Sequence, residues 1–206
     1  MTKFIEKFYS ADRGKLIDDF LQKLHYGYQE AALQSERFHD ARMRKQVLSL
    51  NQKSAGDLAF QQAFYAHTGQ GSKWDPKSNR NQSYRYAYGI AGGLRFSINR
   101  LPHEGGKIRW ANFRANHALT NQWSLFGDSG LDRPDFPYCL ILHGPEKKHG
   151  EELGFARIVL PDPNLKMFIE MLELPVGAIN TQPVQIETEL PDAQPKAKPM
   201  EQQNIG

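Results

Sequence analysis

Between residues 15 and 37 the apolar side chains fall at Leu16, Ile17, Phe20, Leu21, Leu24, Tyr28 and Ala31 or Ala32, with Phe38 just beyond. Steps of three and four residues put them on one stripe, so the spacing predicts an amphipathic helix over 15–37, with Ser10 or Asp12 as its cap. Gly27 inside that run marks a place where another element comes close. A second helix is expected over 40–50, carrying Arg42, Arg44 and Lys45 on one side. A third is expected over 55–66, opening after Ser54, with Asp57 in the capping-box position and a core face of Leu58, Phe60 (or Ala59), Ala63 and Phe64.

After Thr68 the pattern changes. Residues 69–82 are polar, with glycine and proline, and predict a connecting loop. From Ser83 the period becomes two. Tyr84, Tyr86 and Tyr88 alternate with Arg85, and Leu94, Phe96 and Ile98 alternate with Arg95, Ser97 and Asn99. The glycines in GIAGG (89–93) predict a bulge or tight bend between these two strands. Residues 102–106 predict a turn, and Ile108 and Trp110 alternate with Lys107 and Arg109. Residues 123–126, 138–143 and 155–160 are further strand candidates, and together these segments suggest an antiparallel meander. Leu165, Phe168, Ile169 and Leu172 have helical spacing, with Asp162 as N-cap and Pro163 in the first turn, so a helix is expected over 163–174.

The fold expected is therefore α+β: N-terminal helices, then an antiparallel sheet or small open barrel, then one C-terminal helix and a flexible tail. Its segments are a helical part (1–68), a loop (69–82), a strand-rich domain ending in the helix (83–174) and a tail (175–206). The last twenty residues, 187–206, carry four acids, three prolines and no aromatic ring. The sequence shows no internal repeat and no heptad run.

Composition changes this picture in one place. The whole chain of 206 residues carries a formal charge of +3, yet residues 77–116 hold eight Lys/Arg against a single acid, Glu104. A strip this poor in acid suits a polyanion, because neutralising phosphates releases their condensed counterions. Arg85, Arg95, Arg100, Lys107, Arg109 and Arg114 are the expected phosphate contacts, and Tyr86 and Trp110 the expected base-stacking rings. Period-two alternation sets Arg85 opposite the tyrosines, so rings and cations need not share a face: the tyrosines are either an exposed stacking platform or the buried face, with the arginines solvating the other.

Other chemistry is thinner. His143, His149, Glu151 and Glu152 could offer metal ligands, but their spacing fits neither a helix nor a strand and the segment resembles an exposed turn. Asp128, Asp132 and Asp135 lie in a Gly- and Pro-containing stretch that suits capping aspartates better than a magnesium site. Cys139, the only cysteine, rules out an internal disulfide and sits in an apolar run as a core residue. GIAGG lacks the lysine of a phosphate-binding loop. No apolar run approaches the length of a membrane span and no signal peptide is visible, so a cytoplasmic protein without membrane association is expected. The function expected is non-enzymatic nucleic-acid binding (DNA or RNA), with no cofactor and no metal, inside a complex with other protein subunits. The rivals are an assembly protein whose basic strip meets an acidic protein surface, and a metal-dependent nuclease or hydrolase.

Overall fold

The structure, a computed structural model, describes residues 4–10, 14–68, 72–78, 85–108, 111–123 and 137–178. A short helix α1 (Phe4–Phe8) leads into α2 (Gly14–Ser35) and α3 (Ala41–Ala66), which form an antiparallel hairpin. Then follow β1 (Ser72–Trp74), β2 (Lys77–Ser78), β3 (Arg85–Tyr86), β4 (Tyr88–Ala91) and β5 (Leu94–Arg100). A fourth helix, α4 (Asn112–Trp123), precedes β6 (Tyr138–Gly144), β7 (Phe155–Pro161), β8 (Phe168–Glu173) and a 3-10 turn at Val176–Ala178. The class is α+β, with N-terminal helices followed by a mixed, mostly antiparallel sheet.

Helix α2 forms where its apolar period predicts it, and its stripe of Leu16, Ile17, Phe20, Leu21, Leu24 and Tyr28 is buried. The two helices expected over 40–50 and 55–66 are instead one, α3. Asp40 caps it by accepting from the Met43 amide, and Ser54, expected to open a new helix, bonds back to the Leu50 carbonyl within a continuous one. At Gly27 the hairpin closes tightly: a Cβ there would lie 2.7 Å from that of Ala55.

Six strands form one sheet in the order β1-β4-β5-β6-β7-β8. The β4–β5 hairpin turns on Gly92 and Gly93, both with positive φ, the two-residue turn that matches strand twist. The expected meander does not continue past β5: residues 107–108, expected in its next strand, belong to none, Trp123 ends α4, and β5 and β6 run parallel in the register Arg95↔Tyr138 to Arg100↔His143. A parallel neighbour requires a crossover, and α4 lies in it. Residues 69–82, expected as loop throughout, contribute β1 and β2.

The C-terminal helix expected over 163–174 is not formed. Asp162 caps a turn instead, its carboxylate accepting from the Lys166 and Met167 amides, and Leu165 takes a left-handed backbone (φ 57°). That turn reverses the chain, and 168–173 pairs along β7 as β8. The helical spacing misled because Ile169 and Leu172 reach the core from a strand with an irregular register beside Pro161. Glu170 on this strand accepts from the amides of Phe4 and Ile5, fixing the start of α1.

The sheet has two covered faces. Phe96, Ile98, Cys139, Ile141, Ala156 and Ile158 pack under the α2–α3 hairpin in one core. Across the sheet, Tyr138, Leu140, Leu142 and Val159 pack with Ala118 of α4 in a second. Helices and sheet thus share a core, and Cys139 is buried in it as expected. Among the described residues no helix is long and apolar enough to cross a membrane.

Candidate nucleic-acid interface

Alternation along β5 sends the basic strip to both faces of the sheet. Arg100, in phase with Phe96 and Ile98, points under the hairpin. Its guanidinium donates to Gln52 Oε1 (2.6 and 3.1 Å) and to Ser49 Oγ (3.0 Å), both on α3. Gln52 in turn donates to the carbonyls of Gly150 and Glu151, tying in the loop after β6. Beside this group His143, at the end of β6, bonds through Nδ1 to the Tyr28 hydroxyl at 2.9 Å. The ring is so close to α3 that a Cβ on Gly56 would lie 2.4 Å from Nε2. Burial, then the charge of Arg100, lowers the His143 pKa to about 3. Burial likewise pushes the Tyr28 hydroxyl above its ordinary value, despite the pull of Arg100. Arg100 is therefore a clamp between sheet and hairpin, with its donors directed inward.

Arg95 faces the other way, with Ser97 and Tyr138, under α4. There Tyr88 lies 5.1 Å from the His117 ring, His117 lies 5.2 Å from Tyr138, and Tyr138 shares a 2.6 Å hydrogen bond with Ser97. Arg95 donates to the Tyr88 hydroxyl, whose pKa burial nonetheless raises. Lys77 of β2 sits over the Tyr88 ring, 5.6 Å from its centroid, and also pairs with Asp75 at 2.5 Å. Burial, then Arg95 and Lys77, hold the His117 pKa down to about 4. Tyr86 stacks on Phe113 of α4 at 3.8 Å, and the Arg114 guanidinium lies 5.0 Å from that same Phe113 ring.

The side chains singled out from the sequence are thus dispersed. Arg95 and Lys77 meet beside the α4 face at Tyr88 and His117, a place for Lys77 that the sequence pattern does not reveal. Arg114, on α4 itself, lies by Phe113 and acts on Asp57 of α3. Lys107 is exposed in the segment between β5 and α4, and Arg100 belongs to the opposite face. Arg109, Trp110 and the side chain of Arg85 lie outside the described residues. Tyr86 and Tyr88 form the buried alternative, not the open one: Tyr86 is 9% exposed and Tyr88 3%, and Phe113 occupies the ring face that a base would need.

Asn121 anchors α4 over this cluster. Its amide donates to the carbonyls of Tyr138 and Pro161 and accepts from the Tyr138 amide, all within 2.9 Å. The candidate metal ligands do not converge. His143 is buried against Tyr28 and His149 is exposed on its loop, and no cluster of three possible ligands occurs among the described residues. Asp128, Asp132 and Asp135 lie outside them. In comparison with known proteins, the chain matches no family model, no curated protein and no solved structure.

Proposed function

We propose that the protein binds nucleic acid through the margin of the α4 face, with phosphates meeting Arg95, Arg114, Lys77 and the exposed Lys107. The observation that carries this reading is the convergence of two strip cations, Arg95 and Lys77, on His117. Their field helps keep an imidazole neutral in the same place where a phosphate would be attracted. In this reading Tyr86, Tyr88 and Phe113 form the rigid floor that fixes the cations, and base stacking contributes little. Arg109 and Trp110, five and four residues before Arg114 in the chain, belong to the same basic stretch of sequence.

The test is fluorescence anisotropy with labelled single-stranded DNA, duplex DNA and RNA at two salt concentrations. About four phosphate contacts would lower affinity roughly a hundredfold for a fourfold rise in salt. Arg95→Ala combined with Arg109→Ala should weaken binding to all sequences alike and flatten that dependence. Binding that is undetectable at low ionic strength, or insensitive to salt, would sink the proposal.

A further inference from the structure

Helix α3 is apolar on two opposite sides. One side, which includes Gln52, Gly56, Phe60 and Phe64, is buried against the sheet and α2. About half a turn away runs a second row: Met43, Val47, Leu50, Ser54, Leu58 and Tyr65, with Gln61 in the same line. Its steps of four, three and four residues repeat after eleven, the spacing that keeps a row nearly straight along a helix. Met43 is 51% exposed, Leu50 62%, Leu58 53% and Tyr65 72%. A helix covered on one side only should carry polar residues here. Leu58 was expected in the core and lies in this row instead.

We infer that this row is the contact by which two copies of the chain pair, α3 against α3, antiparallel about a two-fold axis at Ser54. A two-fold interface must be self-complementary, and the row is. Leu50 and Leu58 lie four residues either side of Ser54, and Met43 and Tyr65 eleven either side. Leu50 of each copy then meets Leu58 of the other, Met43 meets Tyr65, and the small Ser54 lets the backbones approach at the centre. The row is about 33 Å long at about 1.5 Å per residue. Two hairpin layers, each about 20 Å wide, would bury on the order of 700 Å² per copy, close to a standard interface.

The full chain is tested by sedimentation velocity, where a species of twice the 23.5 kDa chain mass is expected. Leu50→Glu with Leu58→Glu should return it to monomer, with the circular dichroism spectrum unchanged because both side chains are exposed. Ser54→Cys should oxidise to a covalent dimer, since Cys139 is buried. A wild-type monomer at high micromolar concentration would overturn the inference. So would a dimer that survives the double Glu substitution.

Discussion

His143, under the helical hairpin, and His117, in the helix across the sheet, are both held neutral below the ordinary histidine range, and burial is the larger cause in each. Their surroundings differ. His143 is 1% exposed, bonded to Tyr28, pressed against Gly56 and next to a cation whose donors are taken by Gln52 and Ser49. His117 is half-buried between two tyrosine rings, with Arg95 and Lys77 at its border. The same basic strip therefore does two things. Where a strand residue points under the hairpin, its charge is absorbed into the joint between helices and sheet. Where it points under the shorter α4, as Arg95 does, it donates to the Tyr88 hydroxyl and lies beside His117. Position in the alternation, and not membership of a basic segment, decides whether an arginine of the strip joins the hairpin or the α4 face.

Acid breaks this comparison most strongly. The pKa of His143 lies near 3 in the folded chain and near 6.5 when unfolded, so between those values the unfolded state binds more protons. Its contribution to stability is complete above about pH 6.5 and is lost as pH falls toward 3, by up to about 1.4 kcal/mol per pH unit. Urea denaturation at a series of pH values should show that slope, and His143→Leu should flatten it. The slope left over contains His117, which acts in the same direction between about 6.5 and 4. An unaltered slope in the leucine variant would show that His143 is not the neutral ring of the joint.

A smaller effect is expected at Gly56. Alanine there places a methyl group against the His143 ring, which is fixed by Tyr28 and cannot swing clear. Overpacking of this kind costs about 1–3 kcal/mol. The denaturation midpoint should drop, and most of the loss should return when His143→Ala is added, because the two changes share one space.

Several parts of this arrangement were legible in the sequence. The stripe of α2, the Gly92-Gly93 turn, the burial of Cys139 and the close approach at Gly27 follow from local rules that tertiary packing did not override. Helix α4 was not legible because two of the residues that seat it are polar. Asn121 is satisfied by the backbone of β6 and β7, and His117 by the ring contacts around it, so no apolar period announces the helix. Strand β8 was misjudged because Asp162 serves equally well as a helix cap and as the pivot of a turn. In the candidate interface, the concentration of cations was plain, but their division between two faces depends on the parallel pairing of β5 with β6. No short-range signal carries that pairing.

The smallest expected effect lies at Lys77, and it bears most directly on function. Its ammonium is 42% exposed, lies over the Tyr88 ring and pairs with Asp75. An exposed cation–π contact contributes about 0.5–1 kcal/mol, and a surface ion pair less. Lys77→Ala should therefore scarcely move the denaturation midpoint. It should, however, raise the pKa of His117 from about 4, since one of the two cations opposing its protonation is gone. Burial remains, so the new value should still fall below 6.5. Following the His117 ring protons by NMR across the acid range reads this directly, with His143 as the internal reference that should not move. Weakened nucleic-acid binding in the same variant would join the two observations, because the field that keeps the imidazole neutral is the one proposed to attract phosphate. A His117 that titrates as before would mean that Lys77 sets no field at this margin, and the α4 face would lose its claim as the interface.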